Sequence, residues 1–326
     1  MKNFLCLLLG LILVMTVFAG CNIIPEDNAD SNNDDTLENT ESITDTDAQN
    51  TGSENALVET PAEYFLYQPL SDGTIEISYI GQNNCVIVPE RIDGMMVSTI
   101  AEKGFQSARS FLKNVTLPNT IKEIKRNAFD DCTLLESINI PKSVFQIGSC
   151  AFRGCTSLTT ISIHSDCLTE TSSEIFALSG LREVTLGEGI TCIPKYCFVE
   201  THISQIELPT TVKTLGDNAF SACNLEKISL NNGLVTIGHK AFSANVSLKE
   251  ITIPKTVINI TEMAFSGCSA LNKVVFEGNA PTSYIYSDDI SGIWYPVNTN
   301  YVVYYHSGAD GFTFPEWNGY RTQIIQ

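Results

Sequence analysis

The residue types most often used for catalysis and metal binding are present in this chain of 326 residues, but not in spacings that support either. Eleven cysteines and four histidines occur, yet there is no Cys-x-x-Cys or His-x-x-x-His pair, the spacings typical of zinc sites. The stretch His306 to Asp310 (HSGAD) has the residue types of a catalytic triad, but successive residues in one turn cannot adopt the required mutual geometry. A Gly-x-Ser-x-Gly elbow, a Walker loop and a dinucleotide-binding glycine motif are also missing. The sequence predicts a protein that is not an enzyme and that uses no cofactor or metal ion.

Four of the cysteines belong instead to a phrase that recurs along the chain. The phrase reads apolar-x-x-apolar-x-apolar-(Pro), followed by Ala-Phe-x-x-Cys. Full copies begin at Leu112, Leu135, Ile203 and Leu248, and looser copies begin at Leu158, Leu181, Leu225 and Leu271. A unit of about 23 residues cannot bury its own apolar side chains and must stack on its neighbours. The sequence therefore predicts a repeat solenoid, whose function should be sought on its surface.

The unit that begins at Leu112 indicates what each position does. Val115 and Leu117 alternate with Thr116 as in a strand, which predicts that Thr116 faces outward. We expect Asn127 to Phe129 to form a tight or short 3₁₀ return with Phe129 at the centre of the coil. Stacked coils would pair their strands in parallel about 4.8 Å apart. One Phe per repeat would then form a buried spine consisting of Phe129, Phe152, Phe176, Phe198, Phe220, Phe242 and Phe265.

The repeated cysteines have a packing role in this arrangement. Cys132, Cys155, Cys223 and Cys268 occupy one repeat position, which is predicted to face inward, and Cys197 replaces the inward Ala of its own unit. A buried thiol behaves as a small hydrophobic group with a weak hydrogen-bond donor. The coil spacing would also bring Cys132 and Cys155 within disulfide range, so a bridge between them is an alternative.

The pattern resembles the BspA-like, or treponemal-type, leucine-rich repeat family. The resemblance covers residues 64–326 and includes the lead-in ISYIGQNNCVIVPERIDGMMVSTIAEKGF, which is similar to the family's usual first repeat with its Ile-Asp-Gly insertion. It implies a β-rich solenoid of leucine-rich-repeat-like coils with a parallel strand stack. It also implies a non-enzymatic bacterial surface protein, lipid-anchored or secreted, that takes part in adhesion.

Both ends of the repeat array read as caps, because the terminal coils of a solenoid need cover. Residues 64–111 are interpreted as an N-terminal β cap and a first atypical repeat, with a turn at Ser71 to Gly73, and residues 112–276 as the repeats. Residues 277–326 abandon the repeat and are rich in aromatic side chains, which predicts a C-terminal cap. Clustered Tyr and Trp can also form a recognition surface. The candidates for that alternative are Trp294, Tyr295, Trp317 and Tyr320.

The start of the chain has the organisation of an exported lipoprotein. Residues 1–20 contain one positive residue followed by an apolar run, as in a signal peptide. The run ends in Phe-Ala-Gly-Cys, which is similar to a lipobox and implies cleavage before Cys21 and diacylglycerol on its sulfur. An uncleaved membrane helix is the alternative, but the run is shorter than the roughly 20 residues such a helix needs. Residues 21–63 are acidic and polar, and are expected to form a disordered tether.

The charge of the chain limits the classes of partner. The formal net charge is −18, with much of it in the tether, and a mildly acidic repeat domain argues against binding to nucleic acid or to anionic lipid. The expected location is extracytoplasmic, with the chain lipid-anchored to a bacterial membrane and exposed at the cell surface.

The predicted binding surface is the exposed face of the stacked strands. One position per unit gives a row of small polar side chains, which we call the outer row: Thr116, Asn139, Ser162, Thr185, Glu207, Ser229 and Thr252. Such a row suits an extended extracellular or host protein or glycan more than a small molecule in a pocket. Two other functions stay open. They are an envelope scaffold and a carbohydrate-binding module that uses the C-terminal aromatic residues.

Overall fold

The computed structural model describes residues 58–164, 166–281 and 302–326. The predictions for residues 1–20, for Cys21, for most of the tether and for Trp294 and Tyr295 lie outside the described residues. The described chain forms a β-solenoid of about ten turns with parallel strands, which confirms the predicted fold class. Helix in the described residues is limited to the 3₁₀ helices Ala62–Tyr64 and Gln106–Ala108.

Each coil contributes a first strand whose apolar side chains alternate with exposed polar ones. These strands are β3 (Cys85–Ile87), β6 (Asn114–Thr116), β8 (Ser137–Ile138), β10 (Thr160–Ile163), β11 (Glu183–Leu186), β13 (Gln205–Glu207), β15 (Lys227–Ser229), β17 (Glu250–Ile253) and β19 (Lys273–Phe276). They pair in parallel and in register within four separate ladders, β3-β6-β8, β10-β11, β13-β15 and β17-β19, for example Val115 with Ile138 and Ile251 with Val274. The parallel strand stack predicted from the Val-x-Leu pattern is confirmed.

A second strand follows in most coils, and the sequence analysis did not predict it. These strands are β5 (Met95–Ile100), β7 (Glu123–Ile124), β9 (Gln146–Ile147), β12 (Cys192–Ile193), β14 (Thr214–Leu215), β16 (Thr236–Ile237) and β18 (Asn259–Ile260). They form two ladders, β5-β7-β9 and β12-β14-β16-β18, with a break between β9 and β12. The coil between them, which begins at Leu158, has no second strand.

The return that carries Ala-Phe depends on two residues in the left-handed region. Asn127 and Asp131 have φ values of 56° and 57°, and Asn and Asp tolerate this conformation better than most residues. The N–H groups of Asn127, Phe129 and Asp131 point to the next coil, where they donate to the carbonyls of Ser149, Ala151 and Arg153 over 2.8–3.0 Å. The same pattern recurs in later coils, so the returns form a third hydrogen-bonded face.

The predicted Phe spine is confirmed and is longer than the repeat motif suggested. Rings from Tyr79 and Phe105 continue it at the front, and successive centroids from Tyr79 to Phe265 lie 4.5–6.0 Å apart. Phe129 and the other central rings are fully buried. Burying one Phe side chain stabilises the fold by about 1.5–3 kcal/mol, so the spine is a main source of cohesion between coils.

The inward cysteines donate to the carbonyl of a spine Phe. The Cys155 Sγ lies 3.2 Å from the Phe129 carbonyl oxygen, and the Cys268 Sγ lies 3.1 Å from that of Phe242. Asn245 occupies the same position and donates to two Phe carbonyls, each over 2.8 Å. The thiols of Cys132 and Cys155 are both free, so the alternative of a bridge between them was wrong and the packing interpretation is confirmed.

The two ends of the solenoid carry additional strands. At the front, β1 (Phe65–Pro69) and β2 (Ile75–Tyr79) form the hairpin predicted around Asp72, and β2 pairs with β5, which also pairs with β4 (Arg91–Ile92). At the back, β20 (Val302–His306) and β22 (Tyr320–Ile325) extend the parallel ladder beyond β19, and β21 (Glu316–Trp317) pairs with β22. The prediction that the repeat ends before residue 277 therefore missed that the strand ladder continues past it.

Candidate functional site

The outer row of predicted binding residues is brought into line by the strand register. The aligned pairs are Ser162 with Thr185, Glu207 with Ser229, and Thr252 with Val275. Thr116 is half-buried, and the six other members of the row are exposed. We call the surface formed by the outward side chains of β6, β8, β10, β11, β13, β15, β17 and β19 the strand face. Within each ladder the register aligns these outward side chains, and the strands of successive ladders are adjacent.

Asn139 differs from the rest of the outer row, because its amide already has partners. Its Nδ2 donates to the Leu117 carbonyl over 2.9 Å, and the Leu117 N–H donates to Oδ1 over 2.7 Å. The side chain thus replaces a pair of ladder hydrogen bonds between adjacent coils. We infer that Asn139 supports the strand face and does not offer its amide to a ligand.

The outer row also continues further than the sequence analysis proposed. Val275 pairs with Tyr304 of β20, and the ammonium group of Lys273 lies 5.9 Å from the centre of the Tyr304 ring. The alternation of residues 302–306 (VVYYH) carried this signal, but no copy of the repeat motif accompanies it. The strand face therefore ends on a half-buried tyrosine.

Charged side chains flank the outer row and are paired with each other at its two ends. The Nζ atom of Lys113 lies 3.3 Å from Oε1 of Glu136, and the Nζ atom of Lys273 lies 3.4 Å from Oε2 of Glu250. These pairs are exposed, and exposed pairs contribute only about 0–1 kcal/mol. Their effect is to neutralise the ends of the face.

The middle of the strand face contains a shallow groove of about 270 Å³ between β11 and β13. Its lining residues are Val184, Gln205, Ile206, Glu207, Lys227 and Ser229. Val184 is half-buried, whereas Ile161 and Ile206 at the same position of the neighbouring coils are only 4% and 6% exposed. All residues around this groove are among those that the structure describes. No hydrogen bond of a strand ladder joins the backbones of β11 and β13. The groove thus opens where two coils are adjacent but not paired.

The sequence matches the model of one family of repeat proteins. The model of the BspA type leucine-rich repeat region matches residues 92–201 and 191–293, in six copies. The chain belongs to the BspA-type leucine-rich repeat family. The resemblance stated from the repeat phrase is confirmed.

Several solved structures of bacterial repeat proteins are similar to this BspA-type chain. A leucine-rich cell surface protein of Faecalibacterium prausnitzii is 19% identical, with 73% of this chain and 97% of that chain covered and a TM-score of 0.40. A leucine-rich repeat protein of Bacteroides ovatus is 23% identical over 83% of this chain and 67% of that chain, with a TM-score of 0.49. The T. pallidum leucine-rich repeat protein is 26% identical over 67% and 86%, with a TM-score of 0.39. No curated protein matches the chain significantly.

The most irregular coil of this BspA-type array contributes to a second depression, beside the second strands β12 and β14. It has a volume of about 310 Å³ and lies where the second-strand ladder is interrupted, lined by residues that include Asp166, Glu170, Thr191 and Lys213. The backbone N–H of Thr191 donates to the Asp166 carboxylate over 3.2 Å. Asp166 therefore has a structural role in bridging the interruption.

The aromatic residues of the C-terminal cap pack against each other. Trp317 lies 4.9 Å from Phe312 and 5.8 Å from Phe276, measured between ring centres. Trp317 and Tyr320 are 6% and 8% exposed, so neither presents a ring face to solvent. Of the aromatic residues proposed for carbohydrate binding, these two are placed in the core of the cap, and Trp294 and Tyr295 lie outside the described residues.

The cysteines near the irregular coil are poor nucleophiles. Burial raises the pKa of Cys192 to about 11, and the charges of Glu170 and Asp166 act in the same direction. Burial likewise raises the pKa of Cys132 and Cys268 to about 12. Because the thiolate is the reactive form, these side chains are unreactive at neutral pH.

Among the described residues, no three His, Cys, Asp or Glu side chains are grouped as metal ligands would be. No helix in the same part of the chain is long and apolar enough to cross a membrane.

Proposed function

We propose that this chain is a non-catalytic cell-surface lipoprotein, anchored to a bacterial membrane through a lipid on Cys21, whose strand face binds an extracellular protein or glycan. The family supports the non-catalytic part of the proposal, since its members are repeat proteins. One similar structure is that of a leucine-rich cell surface protein, which supports the proposed location. The lipobox-like sequence ending at Cys21 supports the anchor.

The observation that carries the proposed binding role is the exposure of the outer row. Ser162, Thr185, Glu207, Ser229 and Thr252 are all exposed and share one side of the stacked strands. Their hydroxyl and carboxylate groups offer many donors and acceptors over a long surface. Such a surface matches an extended partner, because each contact is weak and many must be made at once.

Adhesion of cells that display the protein tests the binding role. Replacement of Thr116 and Thr252 by Arg puts two bulky charges on the strand face, and we expect adhesion to host proteins or glycans to be lost. The matched control replaces Gln146 and Thr236, which lie on the second strands, by Arg. Both variants should keep the wild-type melting temperature, since the arginine heads can extend into solvent. Unchanged adhesion in the strand-face variant would contradict the proposal.

Protease treatment of intact cells tests the location. We expect the protease to release the repeat domain from wild-type cells. We expect cells with the Cys21→Ser variant to release the protein into the medium without protease. A domain that stays protected on intact cells, with lipid present on Cys21, would instead favour an envelope scaffold that works beneath the surface.

A further inference from the structure

The groove between β11 and β13 differs from the rest of the strand face in two ways that concern binding. Its floor includes the half-buried side chain of Val184, at a position that is buried in the neighbouring coils. The missing ladder between the two strands is not one of these differences, because β8 and β10, and β15 and β17, are also unpaired. The second difference is the state of its charged groups.

Charged side chains around the groove have no partner within the described chain. Glu183, Glu207 and Lys227 are exposed and form neither an ion pair nor a side-chain hydrogen bond with any described residue. The two ends of the same face are neutralised by the pairs Lys113–Glu136 and Glu250–Lys273. Unpaired charges beside an apolar floor are thus confined to the middle of the face.

We propose that this groove is the docking site for a short extended peptide segment of the extracellular partner. The segment would place one aliphatic side chain on Val184 and Ile206, a basic side chain near Glu183 and Glu207, and an acceptor near Lys227. Residues two apart in an extended peptide share a face and lie about 7 Å apart, so alternate side chains of such a segment face the aliphatic floor and the charged groups of the groove together. The inference rests on the proposed function and narrows its partner to a protein.

Charge and composition favour a peptide over a glycan at this position. Sugar rings are commonly held on exposed aromatic side chains, and the groove lining contains aliphatic, carboxylate, ammonium, amide and hydroxyl groups but no aromatic ring. Fully charged groups of both signs complement the side chains of a polypeptide. The two carboxylates Glu183 and Glu207, beside the single ammonium group of Lys227, also favour a basic segment.

A labelled peptide of defined sequence tests the site. The peptide Gly-Lys-Ser-Val-Ser-Glu-Gly presents Lys, Val and Glu on one face, and its binding to the full-length protein in detergent is measured by fluorescence polarisation. The first control peptide has Ser in place of Val, and the second has Glu in place of Lys. We expect each control to bind about three- to fivefold more weakly, since each loses one contact of roughly 1 kcal/mol.

Matched variants of the protein locate the binding. Val184→Ser and Glu207→Gln should each weaken binding of the parent peptide by about three- to fivefold, while Glu136→Gln, an exposed carboxylate at the end of the strand face, should leave it unchanged. Melting temperatures show that the variants are folded. Glu207 is exposed and has no partner among the described residues, so Glu207→Gln gives a result even where Val184→Ser perturbs the coil.

Three results would overturn the inference. Equal binding of all three peptides, equal effects of Glu207→Gln and Glu136→Gln, or no peptide binding at all would each remove the peptide site. Binding of soluble chitohexaose that is lost in Val184→Ser would assign the groove to a glycan instead. Adhesion that is lost in the Thr116→Arg, Thr252→Arg variant, together with equal binding of the three peptides, would preserve the surface function and reject only the groove.

Discussion

Asn139 and Leu117 are joined by two hydrogen bonds in which the side-chain amide of Asn139 serves both the N–H and the carbonyl of Leu117. The distances of 2.7 and 2.9 Å are those of well-formed bonds. They lie at the end of β8, where the backbone ladder between β6 and β8 stops after Ile138. A residue that the sequence placed in a binding row thus holds two coils together.

Asn139→Ala should therefore reduce the stability of the protein and leave adhesion unchanged at temperatures where it is folded. The loss of two hydrogen bonds is expected to lower the free energy of unfolding by about 1–2 kcal/mol. Urea denaturation measures this change, with Ser162→Ala in the same row as the control, for which a change below about 0.5 kcal/mol is expected. Equal stability of the two variants would show that the Asn139 bonds do not matter in solution.

The left-handed residues of the returns lead to a second prediction, which concerns the residue two positions after each spine Phe. Ala244 occupies this position with φ 60°, and the equivalent residues of other coils include Gly154 and Gly267. An L residue in this region costs roughly 1 kcal/mol more than Gly. Ala244→Gly should therefore raise the free energy of unfolding by about 0.5–1 kcal/mol.

Ala241→Gly provides the matched control in the same coil. Ala241 is fully buried and does not have a positive φ, so the same chemical change should destabilise by about 0.5–1 kcal/mol. The two variants are compared by urea denaturation. A loss of stability in both would indicate that the flexibility of Gly in the unfolded chain outweighs the relief of backbone strain.

The buried thiols predict a loss of stability at alkaline pH. Burial raises the pKa of Cys132 and Cys268 to about 12 and that of Cys223 to about 11, from a usual value of 9.0. Above about pH 9 these thiols ionise in the unfolded chain but stay protonated in the folded one. Each thiol then favours unfolding by about 1 kcal/mol per pH unit, until its folded pKa is reached.

Urea denaturation at pH 8 and at pH 10 measures this effect. The variant with Cys132, Cys223 and Cys268 replaced by Ala should be less stable at pH 8, because three buried groups are truncated, but its stability should fall less between the two pH values. The difference between the two proteins isolates the thiols from lysines and tyrosines that titrate in the same range. Parallel pH dependence in both proteins would contradict the assigned role of burial.

The sequence predicted the position of a residue correctly when that residue belongs to the repeated phrase. Phe129 and Thr116 were placed correctly because each has a fixed position in the repeat phrase, and a stacked array forces equivalent positions into line. The second strands were missed since a two-residue strand such as Glu123–Ile124 is too short to show alternation. Tyr304 was missed as a member of the outer row because the motif ends before it.

The groove and the role of Asn139 could not have been predicted by the same reasoning. Val184 matches the apolar pattern as well as Ile161 does, yet Val184 is half-buried whereas Ile161 is only 4% exposed. The Asn139 amide finds its partners on a neighbouring coil, 22 residues away in sequence. Both features depend on small departures from regular stacking, and the repeat pattern describes only the regular part.

Trp317 leads to the last prediction, which separates the cap from a carbohydrate-binding surface. Its indole is buried between Phe312 and Phe276 at the end of the strand ladder, and truncation of a buried Trp costs about 3–5 kcal/mol. Trp317→Ala should lower the melting temperature, while Phe314→Ala, whose ring is 66% exposed, should not. Retention on a polysaccharide column should be the same for both variants below their melting temperatures. Because the Trp317 ring has almost no free face, a selective loss of retention in a folded Trp317→Ala protein would show that the cap opens to admit a sugar.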